Sequence, residues 1–224
     1  MQKKIVGHEC AVEMAVDNVV LNGDLCIPED AVGIVVFAHG TGSNRYSPRN
    51  QFVAEVLRQA NLSTLLFGLL SVDEEAEDLI TGRPRFDIPM LGRRLIAVTD
   101  WLQTHEKACR LKVGYFGAST GAAAALTAAA KRVDLVGAVV SRGGRPDLAM
   151  PVLEQVEAPT LLIVGGNDFE VIEMNRSALA KLRSERKLVI VPGATHLFEE
   201  PGTLEQVAEL ARDWFSKYLI NRIT

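Results

Sequence analysis

Residues 114–126 read GYFGASTGAAAAL: an apolar strand gives way to a helix, with Ser119 held between Gly117 and Gly121 at the changeover. The same strand–helix alternation repeats on both sides. Upstream, GIVVFAH (33–39) is a short continuous apolar run, as in a strand buried on both faces. A glycine-rich loop, GTGSNRYSPRN, leads from it into a helical stretch over 51–59, where Phe52, Val53, Val56 and Leu57 share a face. LSTLLFGLL (62–70) reads as the next strand and residues 85–105 as the next helix. Downstream, 135–141, 159–166 and 187–191 read as strands, and 171–183 and 204–219 as helices. Such alternation predicts a largely parallel α/β sheet with helices on both faces and right-handed crossovers. Before it, residues 9–16 and 19–27 alternate as two strands of an antiparallel hairpin turning near Asp17-Asn18. The charged stretch SVDEEAEDLITGRPR (71–85) reads as a surface excursion, with no boundary or repeat around it.

The 224 residues suit a single domain over 1–224 with a core large enough to enclose an active site. With 24 basic and 28 acidic residues, the chain has no broad electrostatic grip for nucleic acid. The N-terminal MQKKIVGHEC lacks the apolar core of a signal peptide, and no run approaches a membrane span, so a cytoplasmic protein without a membrane partner is expected. Three cysteines, Cys10, Cys26 and Cys109, form no metal cluster; Cys10 and Cys26 could face each other across the hairpin, but free thiols are the simpler expectation.

In a sheet of this kind reactive groups gather at the carboxyl ends of the strands. Ser119 is at such an end. Small residues two before and two after it suit a strained strand-to-helix turn, and the helix behind it aims free N–H groups at a forming oxyanion. Five residues alone are equally read as tight helix–sheet packing; what favours a nucleophile is that an acid and a histidine follow. Asp168 lies just past PTLLIVGG and His196 just past KLVIV, in the chain order Ser, Asp, His of a triad mounted on this turn. A serine hydroxyl needs an imidazole to take its proton, and the imidazole needs a carboxylate to fix its tautomer. Of the other histidines, His8 and His105 are expected to be solvated, and His39 comes too early in the chain to be the base. The N–H groups of Thr41, in HGTG, and of Thr120 are the candidate oxyanion donors, with His39 an ordering residue. GTGSNR lacks the lysine and spacing of a phosphate loop, and no metal or cofactor is indicated.

With HGTGSNRYSPRN, GYFGASTGAAAAL, VVSRGGRPDLA, LLIVGGNDFEVIEMN and VPGATHLFEEPG in order, the chain resembles the dienelactone-hydrolase-like branch of the α/β-hydrolases. It is most similar to compact members found alone or joined to a phosphoribosyltransferase domain. The resemblance covers roughly residues 10 to 220. It implies an α/β-hydrolase fold with Ser119 as nucleophile, Asp168 as acid, His196 as base, and the segment around Thr41 as second oxyanion donor. Two departures stand out: dienelactone hydrolases proper carry cysteine at the position of Ser119, and the compact relatives usually have an aspartate where Gly68 ends the strand. Arg142 and Arg145, in SRGGRPDLA, and Arg45 are candidates to bind an acidic group on a substrate, although arginines beside a glycine pair more often organise loops. Only some 17 residues separate Ser141 from Pro159 (159 − 141 − 1), which leaves a minimal cap, an open site and a preference for small esters. Thioesters, small amides or lactones fit the same mechanism. The competing classes are a non-catalytic ligand-binding protein or an engineered scaffold with little native turnover. Oligomeric state, monomer or homodimer, is not encoded legibly.

Overall fold

The computed structural model describes residues 7–40 and 45–220. Eight strands form one sheet in the order β1-β2-β4-β3-β5-β6-β7-β8. β1 (Gly7–Val16) and β2 (Val19–Pro28) make the antiparallel hairpin, and β2 joins β4 (Leu62–Phe67) antiparallel. The remaining pairs are parallel: β3 (Gly33–Ala38) with β4 and with β5 (Val113–Ala118), then β6 (Val136–Arg142), β7 (Thr160–Gly165) and β8 (Arg186–Val191). Every residue of β3 to β7 is buried, which is why these segments are continuous apolar runs rather than alternating ones. β8 closes the sheet with exposed Arg186 and Lys187, charges that discourage pairing along that edge.

Helices cover both faces. Residues of α1 (Pro48–Gln59) and α6 (Thr203–Leu219) share one apolar cluster with Phe37, Phe116 and Val140 of the sheet. On the other face α3 (Ile88–Thr104), α4 (Thr120–Lys131) and α5 (Phe169–Lys181) pack over Val36, Tyr115 and Val139. α4 is the central helix of that layer, and its alanines are almost all fully buried. Their small side chains let the helix axis come close to β5: a Cβ on Gly117 would lie 2.5 Å from the Ala122 Cα. Among the described residues no helix is long and apolar enough to cross a membrane.

Three details depart from the pattern expected from sequence. α1 starts at Pro48, whose fixed φ suits a first helical position. α3 starts at Ile88 because the Asp87 side chain caps it, accepting the Met90 N–H at 2.9 Å. The excursion after β4 folds as a further helix, α2 (Val72–Thr81), followed by a short 3-10 turn at Pro84–Phe86. After β6, the short crossover is a 3-10 stretch, Pro146–Gln155. The hairpin register sets Cys10 opposite Leu25 and Cys26 opposite Glu9, so the two thiols point to opposite faces. None of the three cysteines forms a disulfide.

α2 buries no apolar stripe; Val72, Leu79 and Ile80 are exposed. Its ends and its ion pairs hold it instead. Ser71 and Glu74 form a reciprocal capping box, Gly82 closes the helix in the left-handed conformation, and Asp78 receives the Arg85 guanidinium at 2.9 Å. The strongest tether is Arg94 of α3, 4% exposed, which grips both oxygens of Glu74 and also donates to the Leu69 carbonyl at 2.8 Å. The Arg94 hydrogen bonds hold the Glu74 carboxyl down to about 2. A carboxyl lowered on folding stabilises the fold above its unfolded value near 4.5, and that contribution fades as pH falls toward about 2. Glu74→Gln should cost roughly 1–3 kcal/mol at neutral pH. Urea melts of parent and variant should converge as the pH is lowered through that window; a constant difference would remove the charged pair as its source.

Candidate active site

Ser119 has φ 50° and ψ −124°, a backbone conformation that costs a non-glycine residue about 1–3 kcal/mol and persists only where its surroundings enforce it. The enforcement is visible. β5 delivers Ala118 in register with Arg142 of β6, and α4 begins at the next residue, Thr120. Between them the chain must turn against β3, where a Cβ on Gly121 would stand 2.0 Å from the Ala38 carbonyl oxygen. A Cβ on Gly40 would lie 2.6 Å from that of Ser119 itself. The Ser119 carbonyl accepts the Arg145 N–H at 3.0 Å, and its N–H donates to the Arg142 carbonyl at 3.4 Å. The serine is therefore clamped, half-buried, at the carboxyl edge of the sheet on a turn too tight for bulkier neighbours.

Asp168 follows β7 and occupies the N-cap of α5, yet its side chain makes no cap bond. It is spent on His196: Oδ2 lies 2.6 Å from the imidazole Nδ1. The two loops that carry this pair are stitched together. A Cβ on Gly165 would meet the Ala194 carbonyl at 2.4 Å, the Asn167 N–H donates to that carbonyl at 2.9 Å, and Asn167 Nδ2 donates to the Gly193 carbonyl at 3.0 Å. Beyond His196, Phe198 turns back at φ 55° and inserts fully into the core, which anchors the histidine loop from its far side.

Gly143, at φ 50° just past β6, lies between the two: it follows Arg142, whose carbonyl accepts the Ser119 N–H, and it faces the imidazole. A Cβ there would be 3.5 Å from the His196 ring and 3.1 Å from its carbonyl. Asn175 of α5, wholly buried, donates from Nδ2 to the Gly144 carbonyl at 3.0 Å and fixes this glycine pair. Ser119 and His196 make no hydrogen bond to each other among the described residues. The geometry so far is a half-buried serine on a strained turn and, on the same sheet edge, an imidazole with a carboxylate behind it.

The other sequence candidates divide. Thr120 is the first residue of α4 and its N–H has no intrahelical acceptor. Thr41 lies outside the described residues. His39 stays near the turn, and burial pushes its imidazole down, so it is neutral and unsuited to a charged role. Arg45 is engaged elsewhere, paired with Asp24 at 3.4 Å and lying 4.6 Å over the Tyr46 ring. Arg145 holds Asp147 through two bonds of 2.9 and 2.7 Å, the loop-organising use expected beside a glycine pair. Arg142 is different, since it is 6% exposed and, among the described residues, its Nε and Nη1 have no partner. Burial, with the charge of Arg49 nearby, lowers its guanidinium to about 10. At Gly68, the Glu75 carboxylate of α2 comes within 3.5 Å of where a Cβ would stand, so a charge reaches this edge from another element. Among the described residues no group of three or more His, Cys, Asp or Glu side chains is placed to hold a metal. Gly143, Asn175 and Arg49 were not singled out from sequence.

The model of the Dienelactone hydrolase family matches residues 65–219. A crystal structure of a dienelactone hydrolase from Anabaena variabilis ATCC 29413 is 59% identical, superposes with a TM-score of 0.93, and covers 95% of this chain and 99% of that one. A protein of Mycobacterium tuberculosis (strain ATCC 25618 / H37Rv), named provisionally as a phosphoribosyl transferase, is 57% identical over 208 residues, 93% of this chain but 46% of that protein. The chain thus spans about half the length of the curated relatives it matches. Est1E from Butyrivibrio proteoclasticus shares the fold at 17% identity, with a TM-score of 0.78 over 92% of this chain and 98% of that one.

Because the clash at Gly121 is with backbone, no side chain can move to relieve it. Gly121→Ala should lower the free energy of unfolding by about 3 kcal/mol or more. An unchanged urea midpoint would mean that the turn has more freedom than its geometry implies.

Proposed function

The chain belongs to the dienelactone hydrolase family, and on that premise we propose that it hydrolyses ester-type substrates, that Ser119, His196 and Asp168 are its catalytic triad and that small carboxylic esters are cleaved through an acyl-enzyme. Ser119 Oγ attacks the ester carbonyl while His196 Nε2 takes the hydroxyl proton. The proton then passes to the departing alcohol, and a water activated by the same imidazole releases the acid and restores the serine. Asp168 accepts the Nδ1–H, keeps Nε2 as the basic nitrogen and stabilises the imidazolium that forms. The Thr120 N–H, at the positive end of α4, is proposed as one donor to the tetrahedral oxyanion, with the Thr41 N–H as the other.

The observation that carries this reading is the 2.6 Å Asp168–His196 contact, made across a separation of 28 residues beside a serine held at φ 50°. An N-cap aspartate that caps nothing, aimed at a 40% exposed histidine, is costly for stability and useful for catalysis. The crossover after β6 is a single short 3-10 stretch, which favours small acyl groups over long lipids. Lactones and thioesters can follow the same course.

Turnover of 4-nitrophenyl acetate tests it. Ser119→Ala should lose at least about a thousandfold in kcat, and Asp168→Asn should keep its fold yet fall by about 10³–10⁴ through misorientation of the ring. Full activity in Asp168→Asn would assign the acid elsewhere, and full activity in Ser119→Ala would remove the serine mechanism.

A further inference from the structure

The polarity of α2 is inverted. Val72, Ala76, Leu79 and Ile80 recur at the i, i+4, i+7, i+8 spacing that gives a helix one apolar face, the face that ordinarily packs on a core. Here that face meets water: Leu79 is 81% and Ile80 87% exposed, Val72 and Ala76 are exposed with them, and Phe86 on the following 3-10 turn adds an exposed ring. The charged side points inward, where Glu74 meets Arg94 and Asp78 meets Arg85. These pairs fix the rotation of the helix. Rolling the stripe inward would break both of them and carry the buried Asp78 into solvent.

A stripe that cannot turn inward is covered only from outside, and the charges around it select the cover. Asp73 in the first turn and Glu77 in the middle are exposed and make no ion pair among the described residues. Arg83, one residue past the Gly82 cap, is also exposed, and its guanidinium has no carboxylate partner among the described residues. The patch is thus acidic at one end, apolar along its length and basic at the other. Such a patch complements itself. Two copies set antiparallel about a two-fold axis bring each acidic first turn beside Arg83 of the partner subunit, whereas a parallel pair would lay acid on acid. Ala76, within the stripe, puts little bulk between the two helix axes. An anionic lipid surface would be repelled by the same carboxylates.

We propose that the outer face of α2 is a self-association surface: two copies of the chain pair through antiparallel α2 helices, burying Val72, Leu79, Ile80 and Phe86 and matching Asp73 of each copy with Arg83 of the partner subunit. A contact of one helix and one turn per copy stands at the small end of specific interfaces, so the dimer forms with a Kd on the order of 10 μM. The pairing uses none of the residues assigned to the hydrolytic site. It stands or falls independently of that reading.

Sedimentation velocity of the chain at about 1 to 200 μM tests it, and the parent should pass from monomer to dimer across that range. Leu79→Glu and Ile80→Glu change side chains that already stand in water, so circular dichroism and the thermal melt should stay as in the parent. Each should raise the dimer Kd by at least about thirtyfold. If either lowers the melting temperature, Leu79→Ser takes its place. Asp73→Arg and Arg83→Asp should each weaken the dimer, and the two together should restore it, a rescue that a purely apolar contact would not give. A monomer at every concentration would overturn the inference. So would a dimer that survives Leu79→Glu, since its interface would lie elsewhere. Failure of the double exchange to restore pairing would overturn the antiparallel arrangement. Co-sedimentation of a monomeric parent with phosphatidylcholine vesicles, lost in Leu79→Glu, would give the face to a lipid surface and also overturn it.

Discussion

A backbone forced to positive φ at Ser119 is the constraint to which the surrounding structure is fitted. α4 has to begin one residue beyond β5 while lying almost in contact with it, and only glycine at 117 and 121 and alanine along the helix allow so short a separation. The cost of the strained residue is offset by the burial of nearly the whole of α4 against the sheet and α3. Position follows from this. Because the strands are parallel, the loops after β3, β5, β6, β7 and β8 all open on the same edge, and Asp168 and His196 meet there with Ser119 on the same edge, although the chain from β5 to β8 makes three crossovers.

The electrostatics of this edge follow a single pattern: groups that could stabilise the fold are left for something else. Asp168 stands where a helix cap would be and does not cap. Arg142 is buried, and among the described residues no carboxylate pairs with it. Elsewhere the same residue types are fully used, as in the Glu74–Arg94 and Asp78–Arg85 pairs that hold α2. The contrast is consistent with the roles proposed for Asp168 and His196. It also explains why the imidazole loop needs anchors of its own, in buried Phe198 and in the backbone contacts between the β7 and β8 loops.

Much of the architecture was legible in the sequence because parallel strands covered on both faces leave unbroken apolar runs, and 33–38, 113–118 and 160–165 are of that kind. α2 escaped that reading because it has no buried apolar stripe to give a helical period; its signal was the capping box of Ser71 and Glu74 with Gly82 behind it. The positions of Ser119, Asp168 and His196 were readable for a topological reason, since each comes directly after a strand. What the sequence could not convey was contact between loops far apart in the chain. Asn175 supports Gly144 from 31 residues away, and Arg49 is brought to Arg142 only by the packing of α1. Arg145 and Arg142 look alike in SRGGRPDLA, but the first finds Asp147 two residues on, whereas the strand pleat turns the second inward.

The central claim is that the strained serine is an activated nucleophile. Intact-protein mass spectrometry after brief exposure to a fluorophosphonate addresses it directly, because such a probe reacts with a serine only where a base and oxyanion donors are in place. The account predicts a single adduct on the parent and none on Ser119→Ala. No adduct on the parent, or one that survives the substitution, would contradict it.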